Sequence, residues 1–112
     1  MPKTTTGLTG RWDLYQTIGG FAGTITPVAS GTSQLEFKAD STVLIYNKGA
    51  LVDTRQYSVR PSTAPGDSPT AKLLFYIVPG ARYTPQYVEV DADQLTLKDN
   101  VADGFTYHYR RL

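Results

Sequence analysis

Apolar side chains recur at every second residue through most of this chain, and no window of eleven or more residues carries the 3.6-residue repeat of an amphipathic helix. That period commits the chain to β-structure, because alternate residues of a strand face opposite sides of a sheet. Turn residues cut the pattern into segments 10–18, 33–40, 42–48, 50–60, 71–78, 86–91, 94–99 and 104–112. Eight short strands with no room for helical crossovers predict an antiparallel up-and-down meander. Eight tyrosines and ten glycines against a single methionine fit strands joined by turns. With 112 residues, one domain is expected over 8–112, preceded by a polar tether at 1–7.

Two connections stand out. Gly19–Gly31 is the longest, and its glycines and Pro27 argue against a regular strand through it. Pro61–Pro69 is the second. Hairpin geometry then sets the registers. A two-residue turn at Asp40-Ser41 would place Phe37 opposite Leu44 and Leu35 opposite Tyr46. A loop at Asp91–Gln94 would place Val90 opposite Leu95 and Val88 opposite Leu97. Continuing through the loop centred on Ala102 pairs Leu97 with Tyr107 and Leu95 with Tyr109. The inward set is then Val88, Val90, Leu95, Leu97, Phe105, Tyr107, Tyr109 and Arg111. The outward set, Glu89, Asp91, Thr96, Lys98, Thr106, His108 and Arg110, is polar, as a solvated face requires.

Such a meander either closes into an eight-stranded barrel, which removes exposed edges, or folds into a small β-sandwich. The formal net charge of +1, with signs interspersed, gives no electrostatic support for a nucleic-acid or membrane-surface partner. The longest strongly apolar run, Leu73–Val78, is far short of a helical membrane span. Absence of cysteine excludes disulfides and thiolate chemistry.

The first strand reads Leu8-Thr9-Gly10-Arg11-Trp12, and the last ends Tyr107-His108-Tyr109-Arg110-Arg111-Leu112. This pair resembles the lipocalin signature, a Gly-x-Trp on the first strand and a basic residue on the last. The chain is more closely similar to small lipocalin-like domains of Bacteroidetes envelope proteins. The likeness also takes in the glycine-rich first loop and the run Leu35-x-Phe37-x-x-Asp40-Ser41-Thr42. In lipocalins the tryptophan plugs the barrel base and the basic side chain lies across it. The resemblance therefore implies those places for Trp12 and Arg111, with Gly10 beside them, and Arg110 as the alternative if the register slips by one. It also implies a periplasmic, envelope or secreted location, with a cytoplasmic one as the alternative. Lipocalins that carry hydrophobic ligands are longer and have a helix before the last strand, a pattern this chain lacks.

Little in the sequence points to a reaction. His108, the single histidine, falls on the outward face, and no Gly-x-Ser-x-Gly nucleophile motif is present. The aspartates near residues 91–103 do not follow an EF-hand spacing and suit turn chemistry. Glu36 and Glu89 show no paired-carboxylate spacing. No enzyme activity, cofactor or metal is expected. The tyrosines are the most suggestive residues. A barrel lined by Tyr46, Tyr57, Tyr107 and Tyr109 would be an amphipathic pocket for a small apolar or amphipathic ligand, with Phe21, Ile25 and Val28 of the first loop as a lid. The competing expectation is that these rings fill a narrow barrel that serves as a structural or protein-interaction module of the envelope.

Overall fold

The fold was read from a computed structural model of the chain, which describes residues 7–19, 22–68, 70–78, 80, 84–101 and 104–112. Among these residues nine strands run in chain order: β1 Gly10–Gly19, β2 Thr24–Pro27, β3 Ser33–Phe37, β4 Thr42–Asn47, β5 Ala50–Pro61, β6 Lys72–Ile77, β7 Gln86–Asp91, β8 Gln94–Asp99 and β9 Thr106–Arg111. All neighbours pair antiparallel, and β9 returns to pair with β1. The result is a closed eight-stranded up-and-down barrel with β2 as an added strand, so the barrel, not the sandwich, is the architecture. No described residue is helical, so among the described residues no helix is long and apolar enough to cross a membrane.

β2 corrects the expectation of an irregular Gly19–Gly31 loop. It pairs with the upper half of β1, Gln16↔Pro27 to Gly19↔Thr24, while β3 pairs with the lower half, Gly10↔Phe37 to Asp13↔Gln34. β2 and β3 are thus one interrupted strand alongside β1. Pro27 is tolerated because it ends β2 at a free edge, where no further ladder hydrogen bond is needed from it.

The chain between β2 and β3 folds over the outside of β1 and covers Asp13, which is only 1% exposed. Its carboxylate accepts from the Gly31 N–H (2.9 Å), the Ser30 hydroxyl (3.1 Å) and the Gln34 side-chain amide (3.4 Å). A buried carboxylate is tolerable only when its oxygens are satisfied in this way. Asp13→Ala should therefore cost about 2 kcal/mol, the order of a lost buried hydrogen-bond acceptor. The accompanying sign is faster amide hydrogen exchange at Gly31, with Asp13→Asn milder because its carbonyl still accepts.

The β3–β4 hairpin differs by one residue from expectation. Its loop holds three residues, Ala39-Asp40-Ser41, with Ser41 at φ 68°, Ser41 N–H on the Lys38 carbonyl and Lys38 N–H on the Thr42 carbonyl. A type I turn followed by a left-handed residue is the standard three-residue solution. It sets Phe37 opposite Val43 and Leu35 opposite Ile45. Those four pack inward, and Leu44 and Tyr46 turn outward. The β7–β8–β9 registers are as expected: Val90↔Leu95, Val88↔Leu97, Leu97↔Tyr107 and Leu95↔Tyr109.

The core comprises Trp12, Leu14, Leu35, Phe37, Val43, Leu74, Leu95, Leu97 and Tyr109. It fills the half of the barrel nearest the Trp12 end of β1. Phe105, expected inward, lies just before β9 at the other rim and is 43% exposed. Its ring sits against Gly19, where a Cβ would approach within 2.0 Å. That contact explains a glycine at the end of β1.

Candidate functional site

The barrel base is closed by Trp12 and Arg111. β1 and β9 pair Trp12 directly with Arg111, and the guanidinium carbon lies 4.2 Å from the indole centroid. The indole N–H donates to the Leu8 carbonyl at 2.9 Å. Arg111 donates to the carbonyls of Thr9 (3.0 Å), Gly7 (2.9 Å) and Ala92 (3.2 Å), while the Asp93 carboxylate stands 3.7 Å from its Nε. The arginine thus ties the segment before β1 and the β7–β8 turn across one end of the barrel. Gly10 makes room for it. Its φ of 137° disfavours other residues, and a Cβ there would meet Arg111 Nη1 at 2.8 Å. Arg110 lies on the outer face instead, over the ring of Tyr15 at 4.6 Å.

The opposite half of the interior is built differently. The registers place Arg55 opposite Val43, Tyr76 opposite Tyr57, and Gln86 opposite both Leu74 and Asp99. All share the inward parity. Arg55 lies over Tyr76 at 5.2 Å and is paired with Asp53 at 2.8 Å. The Gln86 amide donates to Asp99 at 2.9 Å, and Tyr107 completes the arc on β9. Five consecutive strands, β5 to β9, therefore furnish aromatic and polar groups above an apolar floor.

Ionisation reflects this environment. Burial pushes the Tyr76 phenol up to about 12, with Arg55 opposing. Burial raises Tyr109 strongly, and neighbouring Tyr76 and Tyr107 add to it. Tyr107 is raised by burial and then by Asp99. A phenol whose folded value lies above its unfolded value near 10 stabilises the fold fully below pH 10. For the buried Tyr76 that stability is lost as pH rises from about 10 toward 12, by about 1.4 kcal/mol per pH unit. Urea midpoints should stay flat on this account to about pH 10 and fall above it, with Tyr76→Phe reducing the slope.

The expected tyrosine lining separates into parts. Tyr107 and Tyr109 are inward, and Tyr109 neighbours both Tyr76 and Tyr107. Tyr57 is inward, directly opposite Tyr76, with its ring edge-on to Phe37 at 5.0 Å and its hydroxyl on the Lys38 carbonyl. Tyr46 does not line the interior. The three-residue β3–β4 loop turns it outward, under the Arg11 guanidinium at 4.2 Å, with its hydroxyl on Glu36. Phe21 lies outside the described residues. Of the other proposed lid residues, Val28 packs against the core and Ile25 is 63% exposed. His108 is on the outer face, 3.4 Å from the Thr96 hydroxyl.

Tyr76, Arg55 and the Gln86–Asp99 pair are missing from the sequence-based set. Tyr76 sits in the run Lys72-Leu73-Leu74-Phe75-Tyr76-Ile77, whose unbroken apolarity hides which side faces in. Arg55 and Asp99 read as ordinary solvated residues until the register turns them inward. No family model, curated protein or solved structure matches the chain.

Proposed function

We propose that this protein is a non-enzymatic binding module of the lipocalin-like type, holding one small amphipathic molecule in the unplugged half of its barrel. The carrying observation is the segregation of the interior. One half is sealed by Trp12 and Arg111 and filled with buried apolar side chains, Phe37 and Tyr109 among them; the other presents Tyr76, Tyr107, Arg55, Gln86 and Asp99. A ligand with an apolar face would lie against the aromatic rings, and its polar end would meet the amide and charged groups near the rim. A location in the bacterial envelope goes with this reading through the sequence resemblance, and fractionation of cells producing the protein tests it.

A second reading has its own support. Leu74, Leu95 and Leu97 are almost wholly buried, as expected of a barrel whose interior is packing alone and whose work is structural. A titration with anilinonaphthalene sulfonate separates the two. The binding reading expects saturable one-to-one enhancement that Tyr107→Ala weakens at least fivefold while Tyr46→Ala leaves it unchanged. Absence of saturable binding, or equal loss from both variants, would favour the packed barrel.

A further inference from the structure

We infer that the Tyr109 hydroxyl is the deep polar anchor of the barrel's binding site, which takes an uncharged aromatic ring compound with a hydroxyl or carbonyl oxygen at its inner end. The inference rests on the binding reading above and adds to it the class of ligand and the way round it lies. Tyr109 is 7% exposed. The registers set it on the inward face between Leu95 and Leu14, one inward position before Arg111. The phenols that neighbour it are Tyr76 and Tyr107, so its hydroxyl end belongs to the unplugged half of the interior.

A buried tyrosine ordinarily finds a partner for its hydroxyl, because burying that group unpaired is costly. Tyr57 obeys the rule by donating to the Lys38 carbonyl. Tyr109 does not. Its hydroxyl makes no hydrogen bond among the described residues, and burial and neighbouring phenols, not a bonded partner, act on its ionisation. Nor is the oxygen sealed in. The described polar side-chain atoms that are both fully occluded and unpartnered are Ser58 Oγ and Arg111 Nε. Tyr109 Oη therefore borders interior space that a water-sized group reaches.

The surroundings select what fills that space. Tyr57 and Tyr76 stand opposite one another on β5 and β6, and Tyr107 and Tyr109 stand on β9, three strands round the barrel from β6. A flat ring held between these walls gains aromatic contacts on two sides. A charge at the inner end is disfavoured. The side chains that act on Tyr109 are two neutral phenols, and Leu74 and Leu95 are wholly buried, so an ionised group would lose its hydration with no counter-charge. The charged groups nearer the rim are already engaged, Arg55 with Asp53, and Asp99 with the Gln86 amide and the Phe105 N–H. A phenol both donates and accepts, so a ligand hydroxyl and a ligand carbonyl suit it equally.

The test titrates 2-naphthol, naphthalene and 2-naphthoate into the whole protein at neutral pH, followed by amide NMR, with Tyr109→Phe as the variant. 2-Naphthol should bind about tenfold tighter than naphthalene, the scale of one net hydrogen bond in a buried site. The carboxylate should bind more weakly than 2-naphthol by at least as much. Tyr109→Phe should bind naphthalene as before and lose the advantage of 2-naphthol. It should also melt no lower than the parent protein, because no hydrogen bond within the protein goes with the hydroxyl. A variant that melts several degrees lower would overturn the proposal, since the hydroxyl would then serve the fold. Carboxylate binding as tight as that of 2-naphthol would overturn it in favour of an anion site. A naphthol advantage that is absent, or that survives in Tyr109→Phe, would also overturn it while leaving the binding reading standing. If none of the three compounds binds up to its solubility limit, the proposal and the binding reading fall together.

Discussion

Trp12→Ala is expected to cost about 3–5 kcal/mol, the range for deleting a fully buried large aromatic side chain. A domain of this kind has a total stability of only about 5–15 kcal/mol, so the variant should be largely unfolded at modest urea. Two losses combine. The indole is entirely buried in the filled half of the barrel, and its removal leaves a cavity bounded by aliphatic side chains fixed on neighbouring strands. It also leaves the Leu8 carbonyl without its donor and Arg111 without the ring beneath it. Trp12→Phe should recover most of the packing but not the hydrogen bond, and should fall between the two. As the single tryptophan, Trp12 reports its own environment. Emission should be blue-shifted in the folded protein and move to that of free tryptophan through the urea transition. Emission like free tryptophan in the folded state would contradict a buried plug.

Arg111→Ala should be the next most damaging change, at about 2–4 kcal/mol, because a charged donor to several carbonyls is worth more than a neutral one. The guanidinium holds the carbonyls of Gly7, Thr9 and Ala92 together, and alanine leaves all of them without that donor. The Asp93 contact adds little, since that carboxylate is largely solvated. Arg111→Lys should be intermediate, as an ammonium retains charge but loses the planar stacking and the forked donors. Arg110→Ala should cost less than about 1 kcal/mol, the scale of one exposed cation–π contact. Thermal melts of the three variants supply the comparison. A larger loss from Arg110→Ala than from Arg111→Ala would contradict the base closure described above.

How far the sequence discloses this fold depends on the turns. From Gln86 to Arg111, alternation and turn residues agree, and the predicted pairings match the structure residue for residue. At Asp40-Ser41 the same reasoning slips, because two- and three-residue loops share their preferred residues. One extra loop residue exchanges the two faces of β4, which moved Tyr46 from inside to outside. β2 was hidden by its surroundings: four residues among glycines, with a proline at the end, carry too short an alternation to register as a strand. The Trp12–Arg111 pairing was legible through the resemblance of the two chain ends to the lipocalin signature and the hairpin parity that turns Arg111 inward. The polar half of the interior was not. Inward-facing Arg55, Gln86 and Asp99 break the rule that polar residues face water, and that rule was the means of assigning faces.

The five arginines among the described residues share one habit: each rests on an aromatic ring, Arg11 on Tyr46, Arg55 on Tyr76, Arg60 on Phe75, Arg110 on Tyr15 and Arg111 on Trp12. Ion pairs are scarcer, with Arg55–Asp53 and the longer Arg111–Asp93 contact among these residues. The difference bears on the solvent in which the protein works. Dissolved ions weaken exposed charge pairs, but a guanidinium seated directly on a ring leaves little space for a counter-ion, and its contact is shorter than the Debye length of about 8 Å at physiological ionic strength. Between dilute buffer and physiological salt the barrel's cohesion should therefore change little.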